Sequence, residues 1–277
     1  MIYSIDFETR SKIDLSDRGL DIYANDPSTE VLCVAYGVRS DNVYVDSPMY
    51  YKREWDVSAL LDHVRNGGKI QAWNAMFEYA IWNCVCVPKY GWPELKLEQV
   101  IDSMAIAAAN NIPQALDDAG AFINSFHKKD PVGKKLIQKL CKPNRAGEFI
   151  QDFPALKDLM EYCRKDVMAE MSIVSKLRPL SSDEQKVWNL TQKINIRGVP
   201  VDPKELQNAV LAVQKAQAEL DQETIKLTGC KPSERAKLLA WLNARGANLE
   251  DLTADTVAKM LQRSNLHPDV KRALELR

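Results

Sequence analysis

The chain has 277 residues, 45% of them apolar and 27% charged, with a formal net charge of −1. That length supports a sizeable core in one large domain or two ordinary ones, and the composition excludes disorder, collagen-like repeats and a coiled coil. No apolar run approaches the roughly 20 residues of a membrane span, and no basic flank precedes an apolar signal region, so a cytosolic protein is expected.

In chain order, "IYSIDF" (2–7), "VLCVAYGV" (31–38) and "NVYVD" (42–46) read as strands by alternation and by β-branched or aromatic content. "WDVSALLDHVRN" (55–66) reads as a helix broken by Gly67-Gly68, and "KIQAWN" (69–74) as a fourth strand. "FEYAIWNCV" (77–85) and "EQVIDSMAIAAANN" (98–111) read as helices, and a long helix is expected over about 154–177, before Pro179. Strands first, with helices between and after them, predict an α/β domain with a mixed sheet. From about Ser181 the pattern becomes all-helical, with a capped start at Ser181 and a second cap at Asp202 followed by Pro203. The six cysteines are scattered and the three histidines do not complete a zinc pattern, so reduced, mostly buried thiols are expected.

Asp6 and Glu8 stand two apart at the end of the first strand and therefore face the same way. Adjacent carboxylates raise each other's pKa unless a cation lies between them, and a hard divalent ion such as Mg²⁺ suits them. Two solvated acids at a strand end are the bland alternative. In "WNAMFEY", Glu78 opens a helix just past the fourth strand, with Asn74 placed to cap it and Phe77 beside the carboxylate. In "YCRKD", Tyr162 and Asp166 are four apart and project from one helix face.

These segments, "IDFET", "WNAMFE" and "YCRKD", resemble in order and spacing the three motifs of the DnaQ-like 3′–5′ exonucleases, in the subgroup with tyrosine in the third motif. "IPQALDDAG" and "KKLIQKLCKP" are similar to segments of the proofreading domains of phage family A DNA polymerases, and "INIRGVPVD" (194–202) to the start of their polymerase region. The resemblance implies a ribonuclease H-like mixed-sheet exonuclease domain over 1–180. Over 181–277 it implies an all-helical, thumb-like region without the palm and fingers motifs. A cut piece of a polymerase or one half of a split one is expected, unable to polymerise alone. One departure stands at Glu78, where the family usually has Asp.

The chemistry the resemblance implies is hydrolysis of the last phosphodiester at a DNA 3′ end, releasing a nucleoside monophosphate. It requires two divalent cations, Mg²⁺ or Mn²⁺. Asp6, Glu8, Glu78 and Asp166 would be the metal ligands, and Tyr162 would orient the attacking water. A single-stranded or frayed 3′ end, and the rest of a polymerase in cis or in trans, are the expected partners, in the cytoplasm of a phage-infected or prophage-bearing cell. Phe7, Asn74 and Phe77 are candidate DNA contacts, and Trp73 and Tyr79 are further stacking candidates, each with a core aromatic as the alternative. The run 127–145 carries seven Lys or Arg against a single Asp, which makes Lys128, Lys129, Lys134 and Lys135 candidate phosphate contacts. A solvated helix face is the alternative there. Two rival functions stay open: a non-catalytic DNA-binding or scaffold module, and an RNA-trimming enzyme of the same fold.

Overall fold

The computed structural model describes residues 1–124 and 132–277. They divide into two compact units, Met1–Gly198 and Val199–Arg277. The first unit is built on a five-stranded sheet of β1 (Ile2–Arg10), β2 (Glu30–Arg39), β3 (Asn42–Asp46), β4 (Lys69–Ala72) and β5 (Val100–Asp102), in the order β3-β2-β1-β4-β5. β1 runs antiparallel to β2, as β2 does to β3, whereas β4 is parallel to both β1 and β5. This mixed order is compatible with the ribonuclease H-like fold expected from sequence, and it puts β1 at the centre.

Ten helices accompany these strands among the described residues. They are α1 (Leu15–Asn25), α2 (Pro48–Tyr51), α3 (Ser58–Arg65), α4 (Met76–Ile81), α5 (Val87–Tyr90), α6 (Ser103–Ala109), α7 (Leu116–Phe122), α8 (Val132–Leu140), α9 (Phe153–Val174) and α10 (Ser182–Arg197). Alternation along β1 and its neighbours sends Ile5, Phe7, Val34 and Ile70 to one face. There they form the main core with Leu60 and Val64 of α3 and with Trp82. The opposite face carries Asp6 and Glu8, and the residues across from them on β2 are small: Ala35 opposite Asp6 and Cys33 opposite Glu8. That shallow surface admits α9, whose Met160, Cys163 and Val167 pack on Cys33 and Ala35. α9 starts where Asp152 accepts the Ala155 amide at 2.9 Å, with Pro154 in the first turn.

The segment 98–111, expected as one helix, is instead a 3₁₀ turn at Leu97–Gln99, the strand β5 and then α6. Val100 to Asp102 extend the parallel sheet beside β4, and Asp102 caps a new helix start through the Met104 and Ala105 amides. The compositional change near Ser181 is a helix start rather than a unit boundary. α10 is capped by a Ser181–Glu184 box and belongs to the first unit, where Lys193 meets Glu98 at 2.7 Å and Trp188 packs against the main core.

The second unit is all-helical, as expected: α11 (Pro203–Thr228), α12 (Arg235–Asn243), α13 (Ala254–Leu261) and α14 (Pro268–Glu275). Leu238, Leu242, Met260, Val270 and Leu274 form its core, and Arg272 forks onto Glu223 at 2.7 and 2.9 Å. All six cysteines are free thiols, five of them buried. Among the described residues no helix is long and apolar enough to cross a membrane.

Candidate active site

Three elements bring the expected acids together. β1 presents Asp6 and Glu8 from the centre of the sheet, with a register shift immediately after Glu8. α9 lies across that face, its Cys163 thiol donating to the Asp6 backbone carbonyl at 3.4 Å, and one turn of this helix carries both Tyr162 and Asp166. β4, the parallel neighbour of β1, leads through a tight turn into α4, whose first turn holds Glu78.

The charges feel one another. Burial, and then the Asp166 carboxylate, raise the pKa of Asp6 from an ordinary 3.8 to about 8. Glu8 and Glu78 are both buried, 9% and 3% exposed. Each is pushed well above the usual carboxylate range, first by desolvation and then by repulsion from Asp6. Asp166 and Glu78 act on Glu8 as well. The Tyr162 hydroxyl hydrogen-bonds Asp166, and burial together with that carboxylate pushes the phenol up, so it stays protonated as a donor.

The chemistry of this donor set, though not its spacing as it stands, suits a divalent cation. Glu78 Oε2 is buried without a hydrogen-bond partner, one of two such side-chain atoms among the described residues. A buried carboxylate oxygen without a partner, on a side chain that Asp6 already repels, is a costly arrangement that positive charge would relieve. Carboxylate oxygens are also the ligands hard cations prefer. The acids do not form a ready-made cage: among the described residues, no three His, Cys, Asp or Glu side chains are grouped closely enough to hold an ion as they stand.

Beside Glu8 opens a groove of about 470 Å³, lined among others by Phe7, Tyr23, Phe77, Ile137 and Lys142. Tyr23 is fixed by a 2.7 Å bond between its hydroxyl and Thr9, and its ring lies 6.2 Å from that of Phe77. A larger cavity of about 940 Å³ lies within the second unit and contains none of these residues.

The candidate DNA contacts separate under this geometry. Phe77 is half-buried and lines the groove. Phe7 is 4% exposed, packs on Trp82 and Trp92, and offers the groove only an edge of a core side chain. Asn74 is exposed but does not cap α4 with its side chain. It adopts φ 64°, its carbonyl accepts the Phe77 amide at 3.1 Å, and the cap position falls to Ala75. Trp73 spends its indole N–H on the Gln114 carbonyl at 2.8 Å, and Tyr79 packs against the main core. Lys134 and Lys135 are exposed on α8, whereas Lys128, Lys129 and His127 lie outside the described residues.

Sequence reasoning missed Tyr23, which belongs to no motif, and did not single out Lys142 within the basic run as a groove wall. It also missed Asp102 and Glu170, two further acids buried behind the site at 4% and 2% exposure. Each falls in a segment expected to be helical, where a single acid reads as a solvent-facing charge.

No protein-family model matches the chain. It is 31% identical over 290 aligned positions to a DNA polymerase of Bacillus phage SP02, an alignment that covers 99% of this chain and 43% of that polymerase. The chain is thus similar over nearly its entire length to a phage DNA polymerase, and it spans less than half of that protein's length.

Proposed function

We propose that this chain is a metal-dependent 3′–5′ exonuclease that removes nucleoside monophosphates from DNA 3′ ends, the proofreading part of a phage-type polymerase. The observation that carries the reading is the convergence of Asp6, Glu8, Glu78 and Asp166, from three elements, beside a groove with aromatic walls. Similarity to a phage DNA polymerase supports DNA as the substrate and the remainder of a polymerase as the partner.

In the reaction, a water oxygen forms a bond to the terminal phosphorus while the bond from phosphorus to the 3′ oxygen breaks, and that oxygen takes up a proton. Asp6, Glu8, Glu78 and Asp166 would hold two divalent cations. When bound, these supply a lowered pKa for the attacking water and neutralise charge growing on the leaving oxygen. Tyr162, kept protonated and tied to Asp166, orients the water by hydrogen bonding rather than by taking its proton. Phe77 and Tyr23 wall the space for the last nucleoside, and stacking there tolerates any base. Lys142, whose ammonium is 2.7 Å from Asp14, lines the groove, and Lys134 and Lys135 are exposed on α8 as further candidate phosphate contacts.

Product analysis tests the reading. Single-stranded DNA should yield deoxynucleoside 5′-monophosphates in the presence of Mg²⁺, faster than RNA of the same sequence yields its monophosphates. Equal or faster release from RNA would assign the site to RNA trimming instead.

A further inference from the structure

Behind the four acids lies a second set of buried polar groups that the proposed reaction does not use. Asp102 ends β5 and is 4% exposed. Its Oδ1 caps α6 through the amides of Met104 at 2.9 Å and Ala105 at 3.3 Å. The nearby Trp188 side chain and Ala75 backbone N–H also favour the charged form of this carboxyl against the burial that raises its pKa. Ala75 is fully buried and is the residue on which α4 begins, three positions before Glu78.

Next to Asp102, the Ser103 hydroxyl donates to Glu170 Oε1 at 2.5 Å, and Gln71 of β4 hydrogen-bonds the same carboxyl. Glu170 is 2% exposed and stands one helical turn beyond Asp166 on α9. The Ser103 hydroxyl thus links α9 to the start of α6, and Asp102, covalently next to Ser103, lies near Ala75, on which the helix of Glu78 begins. Apolar side chains would fill this interior at lower cost, because burying a carboxyl is unfavourable unless its bonds achieve something packing cannot.

We propose that Asp102, Ser103 and Glu170 are positioning residues, a buried tie that sets the distance between Glu78 on α4 and Asp166 on α9 and so the affinity of the site for its divalent cations. The inference rests on the reading of the four acids as metal ligands. Directional bonds suit this task because the start of α4 is otherwise weakly fixed, whereas α9 is capped and packed on the sheet. α4 has no side-chain cap, and the turn before it passes through a residue with φ 64°. Groups that orient metal ligands typically change metal affinity by about 10–100-fold when removed.

The experiment is Mn²⁺ titration of the full chain by electron paramagnetic resonance, with thermal unfolding in EDTA measured in parallel. Ser103→Ala removes a single hydroxyl and Glu170→Ala the whole carboxyl, whereas Glu170→Gln keeps the shape and one acceptor oxygen. The tie predicts that both alanine variants bind Mn²⁺ about tenfold or more weakly. Glu170→Gln should stay close to the wild type, and the unfolding temperatures in EDTA should not follow that order. Wild-type affinity in both alanine variants would overturn the proposal, as would losses that track the unfolding temperature alone. A wild-type chain that binds no Mn²⁺ would overturn the metal reading itself, and this inference with it. Mn²⁺ binding without release of nucleotides would remove the nuclease assignment but leave the tie standing.

Discussion

Asp6 and Glu8 gain their meaning from what faces them. On an open strand end they would be two solvated acids, but Ala35 and Cys33 across the ladder leave room for α9 to bring Asp166 within electrostatic reach. Tyr162 depends on an equally specific neighbour. Gly133 of α8 lies so close that a Cβ there would stand 2.3 Å from the Tyr162 ring. Gly133→Ala should therefore displace the ring and its bond to Asp166. The expected result is a loss of nuclease rate of about tenfold or more, since small misplacements of reacting groups are costly. Overpacking should also destabilise the fold by about 1–3 kcal/mol. Steady-state digestion and urea unfolding of the variant measure both effects, and an unchanged rate would detach Tyr162 from the reaction. Among single residues, the local placement of those in motifs was legible: Asp6 and Glu8 lie on one strand, Glu78 in the first turn of a helix, and Tyr162 and Asp166 on the long helix. Asp102 and Glu170 were not, because an acid shows its burial only once the strand and helices around it are placed.

At the scale of elements, β1 to β4 and the long helices announced themselves by period and by caps. β1 alternates in sequence, Tyr3, Ile5 and Phe7 against Ser4, Asp6 and Glu8, though both its faces are largely buried, and α10 and α11 carry a Ser181–Glu184 box and an Asp202 cap. The misses share a physical cause, which is that tertiary pairing outweighs a short local pattern. β5 is only three residues long and has no alternation of its own; pairing with β4 makes it a strand. α1 went unseen because Gly19, at φ 79°, breaks its helical period into two turns. The segment expected as one helix over 77–85 passes from α4 into a π-helical stretch, Trp82–Cys86, before α5. That widening lets Trp82 bury fully, its indole N–H donating to the Pro93 carbonyl at 2.7 Å.

For the whole molecule, the change of character near Ser181 was legible, but the unit boundary at Gly198 was not. The helix between them has the composition of the second region and the contacts of the first. Electrostatics give a global consequence of the local site. A carboxyl whose pKa is raised by folding contributes its full stability below its unfolded value, near 4. That contribution is lost as pH rises through the folded value, about 8 for both Asp6 and Glu170. In EDTA, these groups should make the protein progressively less stable between pH 4 and 8. Added Mg²⁺ or Mn²⁺ should offset the loss by an amount that grows over the same interval. Thermal unfolding with and without metal across that range reads the difference, and a metal-induced shift that shrinks with rising pH would contradict the ligand assignment. The most direct test of the central claim is digestion of a 5′-labelled single-stranded DNA oligonucleotide with Mg²⁺ or Mn²⁺, run beside Asp166→Ala. The account predicts a ladder that shortens from the 3′ end and is abolished by EDTA and by the substitution. Intact oligonucleotide from folded wild-type protein with either metal, or a ladder that survives Asp166→Ala, would contradict it.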